Sequence, residues 1–401
     1  MRTIVNFLGF FWLMGLLVAC DDASGEADAL GNGLEGMSVS DGAYSETGGG
    51  SPGNGSGNGQ GGTAGLVTAA EWNDLEHWSF WEELLQTDAF ANKPDYWKFY
   101  PNNRLAVRVF DAAGNPISDQ SVTLQNGDRV IWEAKTDNFG SAELFVGLRQ
   151  QTNKVDLSTY GLYVAGMPHT AHLKWFQEGI NEYRMNGGGA ASDKVELAFV
   201  VDATGSMGDE LEFLKEDLLS VIERVKGDAP ELDIATASVF YRDTEDDYLV
   251  RHSGFARSVT TTLNFISEQS ADGGGDFPEA VHSALNTALN ELQWSGTART
   301  RIAFLLLDAP PHNNANVISN LQDAIVLAAK KGIKIIPITA SGIDQETEYL
   351  MRTFAIATNG TYVFITDDSG IGNDHLEASV GEYQVEKLND LMVRLIGKYA
   401  Q

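Results

Sequence analysis

The stretch Asp202-Ala203-Thr204-Gly205-Ser206 places one carboxylate and two hydroxyls at alternate positions directly after an apolar run, Val195–Val201. Alternate residues of a turn between a strand and a helix can aim their oxygens at one point. A second carboxylate, Asp308, ends the apolar run Leu305-Leu306-Leu307. Between the two lies Gly273-Gly274-Gly275-Asp276-Phe277-Pro278-Glu279, a glycine loop that brings two more acids to the same edge. Two or three carboxylates with two hydroxyls suit a hard divalent cation, because Mg²⁺ takes about six oxygen ligands and keeps some of them as water. The expected cofactor is Mg²⁺, with Mn²⁺ or Ca²⁺ as alternatives, and one coordination position is left for an oxygen of a partner.

Other residues bear on the same spot. His312, four residues past Asp308, either meets a ligand or a water beside the cation or braces its own loop. Asp243, after Tyr241-Arg242, reads as a hairpin carboxylate paired with Arg242 or solvent. Enzyme motifs are mostly not found. Gly205-Ser206-Met207-Gly208 lacks the G-x-S-x-G spacing of a nucleophile elbow, no glycine loop leads into Lys-Ser or Lys-Thr, and there is no H-E-x-x-H. The chain therefore reads as a binding protein and not an enzyme, the rival being metal-assisted hydrolysis with Asp243 or His312 as base.

The elements that position these residues follow from hydrophobic periodicity. From Lys194 to the end, apolar strands alternate with amphipathic helices, the pattern of a mostly parallel sheet covered on both faces. The runs Val195–Val201, Leu232–Phe240, Tyr248–Phe255, Ile302–Leu307, Ile333–Ala340 and Thr361–Thr366 predict a doubly wound, six-stranded α/β sheet. The short acidic loop between the second and third runs predicts an antiparallel hairpin, and Glu382–Tyr399 predicts a closing helix. In such sheets ligands bind beyond the carboxyl ends of the parallel strands, where Asp202 and Asp308 fall.

Upstream the composition changes three times. Residues 105–185 alternate as Leu105, Val107, Val109 and again as Ala142, Leu144, Val146, with turns at Asp111–Pro116 and Asp137–Gly140, which predicts a small β-sandwich. Residues 66–104 are rich in aromatics and begin as a helix. The stripe Leu75, Trp78, Trp81, Leu85 either packs on a neighbouring domain or forms a carbohydrate-binding platform. Residues 20–65 are mostly Gly, Ser, Asn, Asp and Glu, too polar to offset the entropy of ordering, and predict a flexible tether. About 45 such residues reach about 40 Å on average.

Residues 1–19 pair Arg2 with a short apolar run that ends Leu17-Val18-Ala19 before Cys20, the single cysteine of 401 residues. This resembles a bacterial lipoprotein signal peptide, which implies lipidation of Cys20 and a membrane anchor in the cell envelope. Asp21 and Asp22 are similar both to inner-membrane retention signals and to surface-export signals, and the expectation is the outer membrane or cell surface. A lone cysteine excludes an internal disulfide and a cysteine-built zinc site. The net charge is −29, from 56 acidic and 27 basic residues, which disfavours nucleic acid as a partner, because phosphate binding depends on clustered positive charge.

Taken together, Asp202, Thr204, Ser206 and Asp308 resemble the metal-ion-dependent adhesion site of the von Willebrand factor type A family, over about Val195–Thr366. Thr204 stands where that family's D-x-S-x-S motif has its first serine. At the loop, where many A domains offer threonine, Asp276-Phe277-Pro278-Glu279 is similar to the D-x-P-E loop of integrin β subunits. That resemblance implies Glu279 as a ligand of the adhesion metal and Asp276, with Asp243, as ligands of a second metal, although Gly274 stands where an asparagine is usual. Residues 105–185 resemble carboxypeptidase-regulatory or transthyretin-like modules. The resemblance implies an adhesive function, with a protein or glycan partner whose carboxylate completes the coordination of the cation. The rival roles are a structural scaffold of an envelope assembly and the hydrolase above.

Overall fold

In the computed structural model of the protein, residues 66–152, 154–186, 192–275, 277–369 and 376–401 are described. The readings of Cys20, of the tether and of Asp276 lie outside them. The chain opens with β1 (Thr68–Trp72) and two short helices, α1 (Trp78–Leu84) and α2 (Lys93–Trp97). Next come β2 (Arg104–Phe110), β3 (Ser121–Asn126), β4 (Arg129–Lys135), β5 (Ser141–Phe145), β6 (Tyr160–Val164), β7 (Met167–Pro168) and β8 (Asn181–Arg184). They form two small sheets, ordered β5-β2-β8 and β4-β3-β6-β7.

The remaining elements are β9 (Lys194–Asp202), α3 (Gly208–Asp228), β10 (Asp233–Tyr241), β11 (Val250–Ala256), α4 (Val259–Ser267), α5 (Val281–Asn290), β12 (Thr300–Leu307), α6 (Ala315–Lys331), β13 (Ile333–Thr339), α7 (Gln345–Ala357), β14 (Tyr362–Ile365), β15 (Val385–Lys387) and α8 (Leu388–Ala400). Strands β10, β9, β12, β13 and β14 run parallel, and β11 pairs antiparallel with β10. Along β9 the side chains divide by period two. Val195, Leu197, Phe199 and Val201 pack with the apolar faces of α3, α4 and α8. Ala198 and Val200 face the opposite way, into the layer that holds α5, α6 and α7. Burial on both faces is why these strands read as unbroken apolar runs. The helices begin and end on local signals: the Asn314 side chain accepts from the amides of Asn316 and Val317 at the start of α6, which ends at Gly332 with φ +68.

Three expectations need correction. The main sheet has eight strands rather than six, in the order β11-β10-β9-β12-β13-β14-β1-β15. The added strands are β1, antiparallel to β14, and β15, antiparallel to β1. Residues 66–104 are therefore not simply a helical segment, because their first strand completes the main sheet. The closing helix begins at Leu388 rather than Glu382, since Val385–Lys387 extend to pair with β1. The β-sandwich precedes β9 as expected, and it also follows β1, so two strands of the main sheet flank it in sequence.

The sandwich is fixed at the amino ends of the parallel strands. Arg301, at the start of β12, donates to Asp119 at 2.9 Å. Lys334, at the start of β13, pairs with Asp137 at 3.1 Å, and Asn359 donates to the same carboxylate at 3.0 Å. The aromatic stripe is core: Trp78 and Trp81 are buried, and Trp81 stacks on Tyr349 of α7 with ring centroids 5.6 Å apart.

Between that stripe and α7 lies a fully buried charge network. Arg352 donates to both oxygens of Asp74, at 2.6 and 2.9 Å, and to Glu348 at 3.0 Å. The two-pronged geometry is what a guanidinium forms with a carboxylate. Removing Asp74 takes the two-pronged partner from a buried guanidinium and leaves it Glu348 alone, and breaking a buried pair in this way costs about 3–5 kcal/mol. Asp74→Ala should lower the unfolding free energy by about that amount in urea titration; a loss under about 1 kcal/mol would mean that the pair is effectively solvated.

Candidate metal centre

Asp202 is the last residue of β9, opposite Tyr241 of β10. On its other side β12 runs parallel, with Leu306 opposite Val201, so Asp308 leaves the neighbouring strand one place further along. Asp202 is fully buried and Asp308 nearly so. The turn after β9 folds back on its own carboxylate: the Thr204 amide and hydroxyl both donate to Asp202 Oδ1, at 2.9 and 2.8 Å. The Ser206 hydroxyl lies 3.3 Å from that of Thr204 and also interacts with Asp308. Thr204 and Ser206 thus bridge the two acids.

The glycine loop docks on this turn through backbone. Gly205 donates to the Gly273 carbonyl at 3.1 Å and Asp272 to the Ala203 carbonyl at 3.1 Å. Gly274 has φ +70, and a Cβ there would meet Glu279 Oε1 and Thr204 Cβ at 3.0 Å, so only glycine lets the loop lie this close. Glu279 is held from the far side by its amide, which donates to the Pro310 carbonyl at 2.8 Å. The side chain of Glu279 is 2% exposed.

Three carboxylate oxygens in this pocket, Asp202 Oδ2, Glu279 Oε2 and Asp308 Oδ1, are buried without a hydrogen-bond donor. Such groups are costly unless something positive answers them. Burial first, and then Asp308, push Asp202 well above the usual carboxylate range. Burial and the charge of Glu210 raise Asp308, against a lowering contact from Ser206. Glu279 is pushed up to about 9 by burial, then by Asp202, Asp243 and Asp308. Tyr241, fully buried beside Asp202, completes no hydrogen bond of good geometry, and its hydroxyl titrates well above its ordinary range, from burial and the neighbouring acids.

A divalent cation fits this donor set. Among the described residues no group of three or more His, Cys, Asp or Glu could hold a metal ion by itself; the further oxygens at hand are the hydroxyls of Thr204 and Ser206. Ser206, Glu279 and Asp308 line an open depression of about 350 Å³, whose wall also includes Ala309, Ser341 and Gly342, while Asp202 and Thr204 do not reach it.

The structure sets Asp243 and His312 together, and apart from that pocket. His312 Nε2 lies 2.9 Å from Asp243 Oδ1. Both border a second depression with Glu245 and Asp246. Asp246 accepts from the amides of Asp243 and Gly274, each at 3.0 Å. These carboxylates are therefore engaged within the loops. Arg242 turns away from Asp243: it donates to the Ala203 carbonyl at 3.1 Å and the Ser270 carbonyl at 2.8 Å, tying the turn after Asp202 to the loop before the glycines.

Sequence reasoning missed Glu210 and Ser341. Glu210 is 1% exposed in the first turn of α3 and accepts from the Ser341 hydroxyl at 2.6 Å. The available signal was its position eight residues before Leu218, on the buried face of that helix.

The family model described as the von Willebrand factor A domain matches residues 196–371. Among curated proteins, an ariadne-like RING finger protein of Acanthamoeba polyphaga mimivirus is 35% identical over 131 residues, 33% of this chain. An alpha-protein kinase of Dictyostelium discoideum is 28% identical over 180 residues, 44% of this chain. The chain spans 12% and 28% of the lengths of those two relatives. Among solved structures, the protein BatB from Bacteroides thetaiotaomicron is 14% identical with a TM-score of 0.35, over 52% of this chain and 98% of that one. Proximal thread matrix protein 1 from the mussel byssus is 15% identical with a TM-score of 0.35, over 52% of this chain and 47% of its own. A von Willebrand factor A domain is consistent with a protein-interaction or adhesion-type role.

Carboxyls raised by folding bind protons more tightly in the native than in the unfolded state, so stability falls as pH climbs through the interval between the two pKa values. For Glu279 that interval runs from its ordinary 4.5 to about 9. In EDTA the melting temperature should therefore decline across this range, and saturating Mg²⁺ should flatten the decline by answering the charges. Melting curves recorded at intervals of pH check this; a metal-free protein equally stable at both ends would contradict the mutual repulsion of the three acids.

Proposed function

Taking residues 196–371 as a von Willebrand factor A domain, we propose that this protein captures a protein or glycan partner through a divalent cation. Asp202, Thr204, Ser206, Asp308 and Glu279 hold the ion, Mg²⁺ or Mn²⁺, and a carboxylate of the partner completes its coordination. The observation that carries this reading is the set of three donorless carboxylate oxygens beside an open depression. Buried like charges of this kind raise the energy of the metal-free site, and a bound dication removes that cost. Two hydroxyls as ligands leave the ion with more net positive charge than an all-carboxylate cage would. It thus keeps its affinity for an incoming anionic oxygen.

Lipidation of Cys20 anchors the protein in the bacterial cell envelope, at the outer membrane or cell surface. The strongly acidic surface repels most anionic molecules, so the cation supplies the local attraction for a carboxylate.

Mg²⁺ at about a hundredfold over its Kd should stabilise the full chain by about 2.7 kcal/mol. Asp202→Ala should abolish that gain and the Mg²⁺-dependent retention of partner proteins from envelope extracts, while the far-UV spectrum stays native. Retention that survives both this substitution and EDTA would refute the mechanism.

A further inference from the structure

The wall of the depression beside the three acids carries one large apolar side chain. Gly273, Gly274, Gly275, Ala309 and Gly342 line it with little more than backbone, and Phe277 stands among them 48% exposed. Phe277 is restrained by the residues that follow it. Pro278 restricts it to extended backbone, and two residues on Glu279 is tied to Pro310 by its amide and bridged to Pro311. An aromatic ring held out in solvent at the lip of a polar pocket gains by burial against a partner.

We infer that Phe277 selects the partner, and that the partner is a protein segment in which the metal-binding carboxylate is flanked by a bulky apolar side chain. This rests on the metal reading above and deepens it. The small residues of the wall leave room for such a side chain beside the acid, and Phe277 supplies the surface against which it packs. The other rim selects against a ligand with several negative charges. Across Gly274 and Gly275 it presents Asp243, Glu245 and Asp246 against one histidine, His312, a net acidic rim that disfavours a second anionic group. A single carboxylate with an apolar neighbour satisfies the cation, the ring and the acidic rim together.

The test uses the full chain with Mg²⁺ on an array of short peptides that carry a central aspartate between two varied neighbours, alongside an array of sialylated glycans. Mg²⁺ affinity is measured separately by calorimetry on the wild type, Phe277→Ser and Phe277→Leu. Mg²⁺-dependent retention should concentrate on peptides with Leu, Ile, Phe or Tyr beside the aspartate. Phe277→Ser should weaken those peptides about tenfold, equivalent to about 1.4 kcal/mol, Phe277→Leu should recover most of the loss, and Mg²⁺ affinity should be unchanged in both. Mg²⁺-dependent retention indifferent to the neighbours, or undiminished in Phe277→Ser, or stronger on sialylated glycans than on any peptide, would overturn the assignment of Phe277 alone. A wild type that binds no Mg²⁺ would overturn the metal reading and this one with it.

Discussion

Three carboxylates buried together without a donor for one oxygen of each set the terms for the rest of this structure. Asp202, Glu279 and Asp308 each pay desolvation and repel one another, and folding raises the pKa of all three. A fold does not hold such a cluster by accident of packing, because carboxylates free to rotate would turn to water. Here Asp202 is held by the amide and hydroxyl of Thr204, Glu279 lies close under the glycine loop, and Ser206 interacts with Asp308.

The architecture supplies this rigidity from two directions. Neighbouring parallel strands, β9 and β12, bring Asp202 and Asp308 to one end of the sheet, and Arg242 fastens the connecting turns by their carbonyls. At the other end of those strands the inserted sandwich is bound through Asp119 to Arg301 and through Asp137 to Lys334. The sandwich therefore stiffens the base of the sheet while leaving the acidic face open. The chain ahead of the insertion does similar work at the side, where β1 fills the gap between β14 and β15 and Asp74 answers Arg352.

How much of this could be read from residues alone depended on the range of each interaction. Leu305–Leu307 followed by Asp308 was legible because a strand buried on both faces must be apolar throughout, so a terminal acid stands out. The glycine loop was legible for a similar reason, since three consecutive glycines mark a close backbone approach. β1 was not. Its residues, Thr68–Trp72, have no alternation that reports a strand, and their partners lie almost at the other end of the chain, as the contact of Thr68 with Thr366 shows. The same holds for Glu210, whose partner Ser341 is 131 positions away. The pairing of His312 with Asp243, too, joins two loops that periodicity leaves unrelated.

The proposed partner capture requires a cation shared between Asp202 and Asp308 through Thr204 and Ser206. Crystals soaked in Mn²⁺ test it most directly, by anomalous scattering. The account predicts one strong peak about 2.0–2.3 Å from hydroxyl or carboxylate oxygens of Ser206, Thr204 or Asp308, with Asp202 and Glu279 ligating directly or through water. Full Mn²⁺ occupancy elsewhere, with Asp202 and Asp308 still unliganded, would contradict it.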